Sequence, residues 1–150
     1  MGKKIGLDCK LYVDPTPLAA DASPTTASWD EVLPARDVNI TLDSGEADVT
    51  TRGNSGWRAT RATLRNAAIE LEALWDPDDT ELEALRDAYL SGNPIAMAAM
   101  DGDIVTAGSE GFVANFRITT FSRGEPLEEG VTISITAKPS SEHQWYEVEP

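Results

Sequence analysis

The sequence predicts a mostly β domain carrying one α-helix. Three observations lead there. Four stretches alternate apolar and polar residues with period two, the pattern of half-buried strands. One segment spaces its apolar residues at i, i+3 and i+7 between a helix start signal and a glycine stop. A length of 150 residues, 41% of them apolar, suits one domain, residues 1–150, with one packed core.

The elements follow in chain order. Leu7, Cys9, Leu11 and Val13 predict a first strand with one apolar face. Residues 14–28, rich in Pro, Ala, Ser and Thr, read as a loop. Val38, Ile40 and Leu42 predict a second strand. Residues 44–63 are polar and contain glycines, and twenty residues without structure do not suit a compact domain. The threonines and valine there favour extended backbone, so the expectation is a long loop built as a protruding β-hairpin arm. Ala67, Ile69, Leu71, Ala73 and Trp75 predict a third alternating strand with Glu70 and Glu72 turned outward.

A helix is expected next. Asp76 stands where a cap belongs and Pro77 suits a first helical position. Asp78, Asp79, Glu81 and Glu83 complement the positive end of the macrodipole. Leu82, Leu85 and Tyr89 form the buried stripe, and Gly92 ends the helix. Residues 94–100 read as a short strand between Asn93-Pro94 and Asp101-Gly102. Phe112, Ala114, Phe116 and Ile118 share one face of a further strand, and a bulge near Thr119-Thr120 would return Phe121 to that face. Val131, Ile133, Ile135 and Ala137 make the cleanest strand, and residues 138–150 are expected to form a C-terminal tail.

Composition narrows the function. Cys9 is the only cysteine, which excludes an intrachain disulfide and the paired-thiol zinc motifs and suits a reducing cytosol. A lone histidine, His143, beside Trp145 and Tyr146 fits packing or surface better than a catalytic base. The start shows no secretory apolar region, and no run of about 18 apolar residues predicts a membrane anchor. The acids at 78–79 and 128–129 fit a helix start and a turn, and Asp101-Gly102-Asp103 lacks the further ligands of a calcium loop. The glycines match no phosphate cradle, and neither Ser55 nor Ser109 sits in a nucleophile elbow. No catalytic, cofactor-binding or metal-ligating residue is nominated, and no enzyme is expected.

The formal net charge is −14, yet no acid falls between Asp48 and Glu70. Within that window lie Arg52, Arg58, Arg61 and Arg65, together with Trp57. Three readings are open: a solvated loop, a nucleic-acid groove with a base stacked on Trp57, or an arm that docks on the acidic surface of another copy. The acidity of the rest of the chain opposes a polyanion. Opposite charges on one chain favour the third reading, because a head-to-tail contact builds rings or filaments.

The segments Gly45–Arg52 and Gly56-Trp57-Arg58, then Trp75–Asp79 and Leu85–Ala88, resemble the long-loop and strand-to-helix regions of siphophage-type major tail tube proteins. Pro94-Ile95, Asp101-Gly102, Phe121-Ser122-Arg123 and Glu125–Thr132 resemble their closing strands, so the resemblance spans about residues 36–139. It implies a β-sandwich or barrel with one flanking helix. It also implies six-membered rings with a β-lined channel, stacked through the long loop and terminal arms, conducting DNA without binding it specifically. The expected partners are copies of the chain and other tail proteins, and the expected locations are the virion tail and, during assembly, the host cytoplasm. Arg52, Trp57, Arg58, Arg61 and Arg65 become candidate subunit-interface residues, and Glu70 and Glu72 candidates for the lumen. The alternatives are a tail terminator or tail base of the same fold, or a monomeric ligand-binding β module using Trp57 and Trp145 as platforms.

Overall fold

The computed structural model describes residues 2–150. Its seven strands are β1 (Lys10–Asp14), β2 (Asp30–Glu31), β3 (Ala35–Asp48), β4 (Thr60–Leu74), β5 (Ile95–Met100), β6 (Glu110–Gly124) and β7 (Thr132–Glu147). One helix, α1 (Thr80–Ser91), lies between β4 and β5. The strands form one antiparallel sheet in the order β2-β1-β5-β6-β7-β4-β3.

The two ends of that order are joined by only three residues, 32–34. Four Cα steps span at most about 14 Å, so the sheet must curl until its edge strands approach one another. The linker itself bridges the gap. The Val32 amide donates to the Leu11 carbonyl of β1 at 2.8 Å, and the Leu74 amide of β4 donates to the Pro34 carbonyl at 3.2 Å. The result is an open barrel, in keeping with the sandwich-or-barrel expectation.

Its interior follows from the alternation in the sequence. Ile69, Leu71 and Ala73 of β4 meet Ile133, Ile135 and Ala137 of β7 and Phe112, Ala114, Phe116 and Ile118 of β6, all buried in one cluster. The β6–β7 register shifts between Ile118 and Thr120. That bulge brings Phe121 against the core, where its ring lies 6.4 Å from both Trp75 and Tyr89. Helix α1 closes the cluster with Leu82 and Leu85, each wholly buried. Burying two such side chains contributes about 1.5–3 kcal/mol each.

β5 is buried on both faces. Its second face, with Tyr12 and Val113, is roofed by Leu18, Ala22, Ala27 and Trp29 from the loop after β1 and by Tyr146 and Val148 from the chain end. Asn115 pins the roof. Its amide oxygen accepts from the Leu18 amide at 2.7 Å, and its amide nitrogen donates to the Leu18 carbonyl at 3.0 Å and to the Ser141 hydroxyl at 3.2 Å. Asp14 ties the loop's ends by accepting from the amides of Thr16 and Ser28.

Several local expectations need correction. Leu7 and Cys9 do not continue the first strand: residues 6–8 form a short 3-10 turn, and Leu7 is 88% exposed. The helix is capped by Asp79, whose carboxylate accepts from the Leu82 amide at 3.0 Å, while Asp76 bonds the Asp78 amide in a turn before it. The helix therefore starts at Thr80, after Pro77 rather than on it. Ala88 is buried on its inner stripe, and Tyr89 stays half-exposed beside Phe121. Residues 138–147 are not a tail. They continue β7 alongside the first half of β6, with Phe112 opposite Trp145.

Candidate functional site

β4 keeps company with β7 only from Ile69 to Leu74, whereas it stays paired with β3 from Asp48↔Thr60 to Ala35↔Ala73. The β3–β4 ribbon therefore leaves the barrel near Ala67 and runs on alone. Its tip, residues 49–59, is folded by local bonds. Thr51 and Asn54 form a capping box around a 3-10 turn, and Ser55 and Gly56 both adopt positive φ to reverse the chain. The Thr50 hydroxyl accepts from the Ala59 amide at 2.8 Å and donates to the Ala59 carbonyl at 3.3 Å, closing the turn. The Asp48 carboxyl is held below its ordinary pKa by the hydroxyl and then the amide of Thr50. Of these two the amide bond, at 2.9 Å, has the firmer geometry, since the hydroxyl is engaged by Ala59.

Arg52, Trp57, Arg58, Arg61 and Arg65 all lie on this ribbon and all are exposed, Trp57 to 78%. By strand alternation Arg65 stands on the same side of β4 as the core residues Ile69 and Leu71, whereas the register shift between Ser44 and Glu46 adds a residue to β4 between Ala62 and Arg65 and turns Arg61 to the other side. The inward stripe of β4 thus passes from Ile69 through Ala67 to Arg65 where the barrel ends, and the arm carries basic side chains on both faces beyond it. Only Arg58 has an acid partner among the described residues, Asp48 at 3.8 Å, and both side chains of that pair are well exposed. The arm also exposes Leu42, Val49 and Leu64, the last to 81%.

Glu70 and Glu72 point away from the core on the other face of β4. Across the strands Glu72 sits opposite Asp37 and Ser134, and Glu70 opposite Asn39 and Thr136. The next strand adds Ser122 and Thr120 to the same rows. This face is a sheet of short hydroxyl side chains and carboxylates, wet and negatively charged. Two like-charged cross-strand pairs stand on it, Asp37 with Glu72 and Arg117 with Lys138, and both are unfavourable within the lone subunit.

The divergence of β4 from β7 opens a cleft of about 960 Å³. Leu42, Phe112, Pro139 and Trp145 give it apolar walls, and Arg65, Lys138 and His143 stand among the polar residues around them, with Asp43 the one acid. Trp145 lines it and Trp57 does not, so the two tryptophans share no concave platform there. The sequence pattern missed this feature, because a cleft between two diverging strands leaves no local signal. Among the described residues no cluster of three His, Cys, Asp or Glu side chains is arranged to hold a metal ion, and no helix is long and apolar enough to cross a membrane.

A family model described as phage tail tube protein matches residues 18–144. No curated protein sequence matches the chain. Among solved structures, the tail of an empty gene transfer agent particle, refined with C6 symmetry, superposes with a TM-score of 0.74 at 16% identity, covering 96% of this chain and 99% of that one. The SPP1 tail tube gives a TM-score of 0.74 at 15% identity, covering 99% and 81%. A baseplate structure of the anti-feeding prophage gives 0.58 at 7% identity, covering 95% and 93%. At these identities the superpositions establish a shared fold.

Proposed function

The chain belongs to the phage tail tube protein family, a structural component of the tail and not an enzyme, and from that premise we propose that six copies form a ring and that rings stack into the tube. The C6 symmetry of the gene transfer agent tail that shares this fold supports the ring order. The observation that carries the proposal is the state of β3. It is an edge strand of 14 residues, unpaired along one side for its full length. Its inward residues Val38, Ile40 and Leu42 are 38–53% exposed. A long open edge of this kind invites strand pairing and is normally blunted or covered. A neighbouring subunit in a ring covers it.

The arm is the second contact in this reading. Arg52, Trp57, Arg58, Arg61 and Arg65 dock on the acidic surface of a copy in the adjoining ring, and the arm's weak tie to its own subunit leaves it free to do so. Arg and Trp are the residue types that most often carry interface energy. Glu70, Glu72 and Asp37 are assigned to the lumen. A negative, hydroxyl-lined wall repels phosphate and offers no base-specific groups, so DNA slides through without specific binding. Other tail proteins are the partners at the ends of the tube.

The test is assembly. Purified chain should form rings or tubes, seen by negative-stain microscopy and by sedimentation. A chain that remains monomeric at all concentrations and moderate salt rules the proposal out.

A further inference from the structure

The tip joining β6 to β7, residues 125–131, carries Leu127 at 99% exposure. A leucine with no contact on its own subunit stands there among Glu125, Glu128 and Glu129. Pro126 immediately precedes it and limits the conformations of the tip. The cleft between β4 and β7 is the complement of this knob. It offers the apolar walls of Leu42, Phe112, Pro139 and Trp145, with Arg65 and Lys138 beside them. An acidic rim around an apolar point therefore faces a basic rim around an apolar hollow.

The two features cannot meet within one molecule. The tip precedes Thr132, at the start of β7, and the cleft begins at Lys138 and runs to Trp145, towards its other end. Six residues of extended strand, about 20 Å, separate Thr132 from the nearest part of the cleft, and the tip projects away from it. A contact between them is heterologous, and a heterologous contact displaced along a strand propagates from copy to copy.

We propose that Leu127 of one copy seats in the β4–β7 cleft of a copy in the adjoining ring, with Glu128 and Glu129 beside that copy's Arg65 and Lys138. The occupant is a second copy of this chain, and the inference rests on the stacked-ring reading above. It adds a contact that is independent of the arm tip. It also accounts for Trp145, 56% exposed where it lines the cleft.

Cross-linking tests it. In a Cys9→Ser background, which removes the one native thiol, the pair Leu127→Cys and Gln144→Cys should give a ladder of disulfide-linked oligomers on oxidation of assembled tubes. Either cysteine alone should give no species beyond a dimer. Leu127→Asp, at a fully exposed position that leaves the fold intact, should raise the concentration needed for tubes at least tenfold while rings still form. Tubes that assemble normally with Leu127→Asp, or assembled double-cysteine tubes that yield no ladder, overturn the knob and leave the stacked-ring reading standing. A wild-type chain that never assembles overturns both.

Discussion

Reversing charge at Arg58 and Arg61 separates the arm's role in assembly from any role in folding. Within the subunit these residues do little. The Arg58–Asp48 pair is exposed on both sides at 3.8 Å, and Arg61 has no acid partner among the described residues. Exposed pairs contribute about 0.2–1 kcal/mol, so Arg58→Glu with Arg61→Glu should shift the melting temperature of the monomer by no more than about 4 °C. At a ring-to-ring junction the same changes act on every arm. With about 1 kcal/mol lost for each reversed charge, two charges per arm and the six-fold order proposed from the C6-symmetric relative, a junction loses on the order of 12 kcal/mol. Each 1.4 kcal/mol is tenfold in affinity, so stacking should fail at any practical concentration. Wild-type stacking should weaken as salt rises from 0.1 to about 1 M, where the screening length falls from about 10 to about 3 Å. The assay is sedimentation with negative-stain counting of rings and tubes, alongside circular dichroism of the monomer. Normal tubes at the wild-type concentration from a folded double variant would refute the docking role of the basic window.

The remaining predictions concern the subunit. Asn115→Leu leaves the buried amide and carbonyl of Leu18 without partners, which costs about 2–5 kcal/mol, or about 5–15 °C in melting temperature; an unchanged melting curve would mean that the roof loop is held by its apolar contacts alone. Gly111→Ala drives a Cβ into the Ala99 carbonyl, a backbone atom that has nowhere to go, so it should destabilise by at least about 1–3 kcal/mol and disturb β5–β6 pairing; equal stability in urea would contradict this. Because the Thr50 bonds depress the Asp48 pKa in the fold, their contribution is complete above the ordinary carboxyl value and is lost as pH falls through the lower folded value. The Thr50 amide resonance should therefore titrate with a midpoint below that of a free aspartate, and a midpoint at or above it would be inconsistent with that bond. Glu72→Gln relieves the repulsion with Asp37 and should raise stability by about 0.2–1 kcal/mol, read as a small rise in melting temperature; a fall would show that the pair is not strained.

What the sequence made legible was set by how far strict alternation survives. Ile133, Ile135 and Ala137 are read correctly because period two holds and one face is buried. The slip at Thr119-Thr120 is legible because aromatic residues lie on both sides of it and only a bulge keeps both inside. Beyond Ala137 the signal fails. The β6–β7 pairing shifts again on either side of Asn115, and Glu142 takes a positive φ, so a real strand loses its period and looks like a tail. At the start of the chain the opposite happened: Leu7 and Cys9 fit the period by chance while the backbone turns through a 3-10 segment. The helix cap was misplaced because three aspartates compete at 76, 78 and 79, and only the backbone geometry selects Asp79. The basic side of the arm was legible from its charge, since a window without acids stands out in a chain of net charge −14, but the β3 side, with Asp43, Glu46 and Asp48, carries no such signal. The cleft was not, because its lining comes from four strands, β3, β4, β6 and β7, and it opens only where β4 parts from β7.

The features that weaken the isolated subunit fall into one pattern. An unpaired β3 edge, a two-stranded ribbon with no third strand, a leucine 99% exposed and a half-covered tryptophan each carry a cost that a solitary domain has no reason to keep. A two-stranded ribbon is marginal in water, and long open edges aggregate. None of these features lies over α1 or the loop roof, where Asn115, Asp14 and the buried leucines satisfy the chain internally. Exposed apolar side chains are found along β3, the arm, the cleft and the β6–β7 tip, although others, Leu90 on α1 and Leu7 and Val105 in loops, lie outside them. Each of the four has a different chemical complement: backbone pairing for the edge, acid for the arm, an acidic apolar knob for the cleft, and a basic apolar hollow for the tip. Under the proposed contacts, a chain that supplies both halves of the last pair, and both charges of the arm contact, specifies its neighbours in one relative orientation. In that proposal, repetition of the orientation builds the tube.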